Sequence, residues 1–371
     1  MANLKDLIIL SRIQGIGPNR LRLLVSHFGD PTSALNASAR EIAYIEGFSQ
    51  KMAVAVSSFR RSSKFTEAEK YAAHQLAKIN KAGACIITFW EKEYPDLLKK
   101  IYDPPPYIFL KGKLLNEDKY SISIVGTRNP SSYGTTIAEK FTQEFTRLGI
   151  TIVSGLARGI DSVAHNAAIK YGGRTVAVIG SGIDVIYPPE NKNLSNKISD
   201  HGGIISEFDM GTQPDAGNFP RRNRIISGIS LGSLIIETGI EGGAMITANT
   251  ALDQNRDVFA VPGNITEKRS LGCNVLVRDG RAKLVTSIDD VLIELAPKLK
   301  PILKGMHETK VEINLSLFEK NIYDVLDDDP IHIDKLAEKS KMSTADALVN
   351  LLSLEFKGLV KQMPGKMFVR L

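Results

Sequence analysis

From residue 121 onward, short runs of consecutive apolar residues alternate with longer stretches in which apolar positions recur every three or four residues. The runs Ser121 to Thr127, Ile150 to Ser154, Thr175 to Gly180, Gly203 to Glu207, Ser233 to Glu237 and Val258 to Val261 read as strands buried on both faces. The intervening stretches read as helices, most clearly where Ile137, Phe141, Phe145 and Leu148 share one side. Repeated strand–helix alternation of this kind predicts an α/β fold, an extended Rossmann-like doubly wound parallel sheet covered on both faces. Ligands of such sheets bind beyond the carboxyl ends of the strands, so the segments that follow each run carry the functional information.

The flanks follow a different period. Residues 1–64 predict helices broken at Gly15-Ile-Gly-Pro-Asn-Arg20 and again at Glu46-Gly-Phe-Ser49, with Leu21, Leu24, Val25 and Phe28 spaced for one buried face. The first unit resembles a helix-hairpin-helix (SAM-like) element, in which glycines at a helix start offer N–H groups to a phosphate; a bundle used for packing or protein contact fits the pattern equally. Residues 65–295 are assigned to the sheet domain, in which Cys85 to Phe89 is a short strand and Pro104-Pro-Pro106 belongs to a connector. Two prolines and four lysines mark 296–312 as a linker. Residues 313–371 predict three helices and a terminal hairpin turning at Pro364-Gly365, a winged-helix pattern. Its recognition helix, Thr344 to Phe356, holds Asp346 and Glu355 and no Lys or Arg, which favours protein contact over the major groove.

Length and composition fit this organisation: 371 residues with 43% apolar content suffice for two or three domains with their own cores. The two cysteines, Cys85 and Cys273, are far apart with no metal-ligand spacing, and read as plain buried thiols. No apolar run has the length of a signal peptide or membrane span, so the expected location is cytoplasmic, without membrane contact. The net charge of +6 is concentrated in residues 1–64, whereas 65–295 balance to zero. A local arginine cluster in that neutral stretch is therefore not a by-product of a basic surface.

That cluster lies in three segments beside strand runs: Ser154-Gly-Leu-Ala-Arg-Gly-Ile-Asp161, Gly180-Ser-Gly-Ile-Asp-Val-Ile-Tyr-Pro188 and Phe219-Pro-Arg-Arg-Asn-Arg-Ile-Ile226. Small residues permit close backbone approach, while Arg158, Arg221, Arg222 and Arg224 supply donors suited to phosphate. Asp161 and Asp184 are read as loop braces, and Arg224, ahead of Ile225-Ile226, as an alternative member of a buried ion pair. Enzyme motifs are weak by comparison. Gly180-Ser-Gly182 meets Val185 where a dinucleotide fingerprint needs its third glycine, and no Walker A sequence occurs, so no cofactor is expected. Gly228-Ile-Ser-Leu-Gly232 follows a helix and precedes a strand, the reverse of a nucleophile elbow. The histidines show no metal spacing, and His165 reads as structural, leaving no metal site and no catalytic residue.

Glu237-Thr-Gly-Ile-Glu-Gly-Gly-Ala-Met-Ile-Thr247 is similar to the glycine-pair motif of the cytokinin-activating phosphoribohydrolase and lysine-decarboxylase-like family. Asn249 stands at about the place of that family's catalytic glutamate, and an amide cannot serve as the carboxylate of glycosidic cleavage. A nucleotide-processing enzyme is thus the alternative reading.

Taken in order, Ile-Val-Gly-Thr-Arg128, Ser154 to Asp161, Gly180 to Pro188, Phe219 to Ser227 and Asp257-Val-Phe-Ala-Val-Pro-Gly263 closely resemble the DNA-processing protein A (DprA/Smf) family. Gly242-Gly-Ala244 and Gly272-Cys-Asn274 depart from the family's usual residues. The resemblance implies a cytoplasmic homodimer that binds single-stranded DNA without catalytic turnover and helps load the RecA recombinase during natural transformation. Carried over by motif, the DNA contacts are Arg128, Ser154, Gly155, Arg158, Lys192, Arg221, Arg222, Asn223 and Arg224. Tyr133, Phe208 and Phe219 are the candidates for base stacking.

Overall fold

The computed structural model describes residues 3–306, 315–326, 330–356 and 359–370. These residues form two compact units, Met1–Met306 and His307–Leu371.

The first unit opens with α1 (Leu4–Ser11), α2 (Pro18–Phe28), α3 (Pro31–Asn36), α4 (Ala39–Ala43), α5 (Gln50–Ser58) and α6 (Ser63–Lys81). Starts are set locally: Pro18 occupies the first turn of α2, Asp30 accepts from the N–H groups of Thr32 and Ser33, and Ser38 with Glu41 makes a capping box. Leu21, Leu24 and Val25 are buried as their spacing predicts. The expected two hairpins are α1–α2 and α4–α5, whose loops are tied by Arg20 donating to Gly15 O at 3.0 Å and Gly47 O at 3.3 Å. These helices do not form a core of their own. Leu7, Leu24 and Val56 share one with Phe109 and Ile204 of the sheet, so residues 1–64 are an extension of the sheet unit rather than a separate one.

The sheet follows, with β1 (Ala84–Thr88), α7 (Asp96–Lys99), β2 (Tyr107–Gly112), β3 (Ser121–Gly126), α8 (Ser132–Arg147), β4 (Thr151–Ser154), α9 (Ile160–Lys170), β5 (Thr175–Val178), α10 (Lys192–His201) and β6 (Gly202–Ser206). It continues through α11 (Asn218–Gly228), β7 (Gly232–Ile236), α12 (Gly243–Asp253), β8 (Asp257–Ala260), α13 (Leu271–Arg278), β9 (Lys283–Leu284) and α14 (Ile288–Met306). Strand order is β1-β2-β6-β5-β4-β3-β7-β8-β9, parallel from β6 to β9 and antiparallel at β1 and β2. Alternate residues face opposite helix layers. Ile122, Ile124 and Leu234 pack with α8, α9 and α14, while Val125 and Ile235 pack with α11, α12 and α13. The doubly wound reading of the sequence is the architecture observed.

Three further features differ from the sequence reading. Strand β2 was hidden in the proline-rich connector, yet Ile108 and Phe109 are fully buried between β1 and β6. Residues 296–306 of the expected linker continue α14, because Val291, Leu295 and Leu299 form a buried stripe that outweighs Pro297 and Pro301; residues 307–314 lie outside the described residues. Cys85 is exposed on strand β1, whereas Cys273 is buried as expected.

The second unit holds α15 (Leu317–Tyr323), β10 (Ile331–His332), α16 (Ile333–Ser340), α17 (Thr344–Phe356), β11 (Val360–Met363) and β12 (Met367–Arg370). Ser343 accepts from the Asp346 N–H at the head of α17, and Ile322, Leu336, Leu351 and Phe368 form a small core. Helix α17 coincides with the anticipated recognition helix.

Candidate nucleic-acid interface

The strand order reverses between β3 and β7: the chain winds outward through β4, β5 and β6, then returns to place β7 against the other side of β3. Loops beyond these two strands diverge toward opposite helix layers and leave a cleft at the switch point. The loops are held by bonds that the sequence cannot display. Glu237, buried and at φ 49°, accepts from the Ser131 N–H at 2.8 Å and from its hydroxyl, while its own carbonyl accepts from the Thr127 N–H at 2.7 Å. Asp161 accepts from the N–H groups of Gly155 at 3.1 Å and Ala157 at 3.4 Å across the turn in which Leu156 has φ 56°. Asp184 accepts from the Gly211 N–H at 2.7 Å. Both aspartates are the loop braces anticipated from sequence.

Around this scaffold the nine expected contacts separate into groups. Arg128, Arg158, Lys192 and Arg221 are exposed, and of these Arg128 and Arg158 line one pocket with Tyr187, Phe219 and Arg222. Arg158 is paired with Glu190, and Arg221 lies over the Phe208 ring at 5.2 Å; Lys192, at the start of α10, has no ion-pair partner among the described residues. Arg222 is 5% exposed: Nη1 donates to Gly155 O at 2.5 Å and to Val178 O, Nε donates to Asn223 Oδ1 at 3.2 Å, and Nη2 has no hydrogen-bond partner among the described residues. No carboxylate lies within ion-pair distance, and burial lowers its pKa to about 10. Asn223 also donates weakly to Gly243 O at 3.5 Å.

Ser154, Gly155 and Arg224 have their polar groups engaged inside the protein. The Ser154 hydroxyl donates to Ile124 O at 2.6 Å, and both Gly155 backbone groups are taken by Asp161 and Arg222. A side chain at Gly155 would meet the Arg222 guanidinium at 2.6 Å, so the glycine gives room to an arginine rather than to a ligand. Arg224 pairs with Glu207 and with Asp103 at 3.3 Å, the ion-pair alternative raised by its neighbours in sequence.

Stacking surfaces are more selective than the sequence suggested. Phe219 packs beside Tyr187, ring centres 6.0 Å apart and planes 39° apart, with the Arg128 guanidinium 5.5 Å above it. Tyr187 was missed, although it sits in the same loop as Gly180 and Gly182. Phe208 is buried, and Tyr133 is partly exposed with its hydroxyl donating to Pro262 O at 3.0 Å. Behind the rim, a cavity of about 320 Å³ is lined by Gly126, Arg128, Arg222, Asn223, Gly242 and Gly243 among others. Asn249 is exposed and bonded to Arg281 at 3.1 Å, outside that lining. His165 is fully buried against Thr175 at 2.7 Å, and Ser230 donates to Ile226 O at 2.8 Å, so neither reaches the cleft.

Cations poised over a switch-point cleft define a Rossmann-type protein suited to a phosphate-bearing ligand. Residues 85–296 match the family described as DNA recombination-mediator protein A, and residues 309–366 match the DprA winged helix domain. The chain belongs to that family, also called DprA/Smf. It is 33% identical to Protein Smf of a Synechocystis species over 97% of both chains. Among solved structures, DprA of Streptococcus pneumoniae aligns with TM-score 0.66 and 33% identity, covering 79% of this chain and 99% of that one. DprA of Helicobacter pylori, whose structure concerns its single-stranded DNA binding mode, aligns with TM-score 0.53 and 26% identity over 58% of this chain and 96% of that one.

Proposed function

We propose that this DNA-processing protein binds single-stranded DNA along the carboxyl edge of its sheet, without catalytic turnover, and acts as a recombination mediator that passes the strand to RecA. The observation that carries the reading is the exposed pair Arg128 and Arg158 lining one pocket with Tyr187 and Phe219, with the exposed Lys192 and Arg221 in the first turns of α10 and α11. Cations that track a backbone and rings that accept any base are what sequence-tolerant single-strand binding requires. Arg222 supports the rim from below, and the single-strand binding described for the Helicobacter pylori relative agrees with the assignment. Ser154, Gly155 and Arg224 act as scaffold in this reading, and Asn223 orients Arg222. A homodimer in the cytoplasm is the working form, as the resemblance implies. The nucleotide-hydrolase alternative finds no carboxylate at Asn249 to support it.

The test is a fluorescence anisotropy titration of a labelled single strand at several salt concentrations, with the intact protein and an Arg128→Ala, Lys192→Ala, Arg221→Ala variant of verified fold. Tight, salt-sensitive binding that the variant loses supports the proposal. No binding by intact protein overturns it, and release of free base from nucleoside monophosphates would favour the hydrolase. RecA filament growth on a protein-covered strand, with and without this protein, tests the mediator step.

A further inference from the structure

We propose that the cavity at the switch point, which meets the rim at Arg128, is a subsite for a terminal phosphate monoester, carried by a strand end or a free nucleotide. The inference rests on the single-strand reading for its biological setting, and its chemistry comes from four observations. Helix α12, eleven residues long, has Gly242 as its N-cap and no side-chain cap, and the N–H groups of Gly243 and Ala244 have no acceptor among the described residues. Its positive end therefore faces the cavity uncompensated. Arg222, 95% removed from solvent by its 5% exposure, lines the same cavity with Nη2 unpartnered and no carboxylate in ion-pair range. The charge nearest to it is Asp161, beyond ion-pair distance, and a buried cation so weakly compensated is costly; a bound anion would reduce that cost. Of the two carboxylates nearby, Asp161 lines the cavity but accepts from the Gly155 and Ala157 N–H groups, and Glu237 accepts from Ser131.

Shape points to an end rather than a continuous strand. Val125 and Gly126 at the end of β3, Asn223 and Ile226 of α11, and Gly239, Gly242, Gly243 and Ala244 at the head of α12 line it; the volume of about 320 Å³ is at the small end of ligand pockets. A diester must enter and leave such a space, whereas a monoester enters once and brings a second negative charge.

The experiment compares otherwise identical oligonucleotides with a 5′-phosphate, a 3′-phosphate or hydroxyls at both ends, and uses a deoxynucleoside monophosphate as competitor and as a calorimetric ligand. The variant is Gly243→Asp. A side chain there meets nothing within 4 Å, and an acidic residue in the first helical turn favours the helix, so the fold is retained while the anion is repelled. The expected result is about tenfold tighter binding of one phosphorylated strand than of its hydroxyl counterpart, the return of one charge-assisted hydrogen bond, with the difference erased by Gly243→Asp. Competition by the monophosphate alone, lost in the variant, assigns the site to free nucleotides. Equal affinity for all strands with no monophosphate binding overturns the subsite and leaves the single-strand reading standing. A preference that survives Gly243→Asp also overturns it. If no strand binds at all, the single-strand reading fails, and direct calorimetry of the monophosphate still decides the subsite.

Discussion

Arg224 and Glu207 form an ion pair on the flank of α11, with side-chain exposures of 12% and 5%. The pair joins the helix that carries Arg221 and Arg222 to the end of β6, and Asp103 extends it through the Arg224 backbone-directed and carboxylate contacts. Removing one member of such a pair strands the other without its partner. Arg224→Ala is therefore expected to destabilise folding by about 3–5 kcal/mol, measured by urea unfolding. Single-strand affinity per folded molecule is expected to stay close to that of the parent. A variant of unchanged stability with lost affinity would instead make Arg224 a direct contact.

Arg158 differs from its rim neighbours because Glu190 already holds it, both side chains being more than half exposed. The carboxylate competes with phosphate for the same guanidinium. Glu190→Gln is expected to raise single-strand affinity roughly twofold at low salt, the scale of an exposed pair. Arg128→Ala, with no carboxylate to release, is expected to lower affinity and reduce the slope of log K against log salt by about 0.7. Titrations at four salt concentrations separate the two behaviours.

In the proposed binding mode the Tyr187–Phe219 pair takes a base, beside the Arg128 and Arg222 guanidinium groups that lie 5.5 and 6.0 Å from the Phe219 ring centre. Phe219→Ala is expected to cost about 1–3 kcal/mol of single-strand binding with the salt slope unchanged, since stacking releases no counterions. Phe219→Trp is expected to retain affinity. Anisotropy at two salt concentrations checks both, and a changed slope would argue for an electrostatic role of the loop instead.

The strands of the sheet were legible because each is a run of apolar residues bounded by polar ones, and burial on both faces leaves no alternation to decode. β2 was not, because Pro104-Pro-Pro106 stand immediately before Tyr107-Ile-Phe-Leu110 and mark the segment as a connector. α14 was obscured by Pro297 and Pro301, although Val291, Leu295 and Leu299 recur every four residues. In the site, the presence of arginines after strands was readable but their individual roles were not. Arg221, Arg222 and Arg224 give the same local signal, and what distinguishes them are acceptors such as Gly155, Val178, Glu207 and Asp103, distant in the chain. Tyr187 gains significance only through Phe219, which sequence does not place beside it.

Helix α17 carries Asp346 and Glu355, no Lys or Arg, and an exposed apolar residue, Val349, at 67% exposure. Such a surface is unsuited to a phosphate backbone. A chain ending at Met306, the limit of the first compact unit, is expected to bind single strands as tightly as the full chain. A large loss of affinity on truncation would assign the winged helix a DNA role that its charge pattern does not suggest.

His165 provides a pH signature for the layer beneath the cleft. Burial and the nearby Arg222 cation hold its pKa down to about 3, so the folded protein carries it neutral, bonded to Thr175. In the unfolded chain it takes up a proton near its ordinary value of about 6.5. Because the unfolded state then binds more protons, this contribution to stability is complete above that value and declines as pH falls toward 3, by up to about 1.4 kcal/mol per unit. His165→Gln cannot take up that proton. Its unfolding free energy is therefore expected to fall less steeply with acid than the parent's between about pH 6 and pH 4, carboxylate effects being common to both. Parallel curves in urea titrations across that range would mean that His165 is not held neutral by its surroundings.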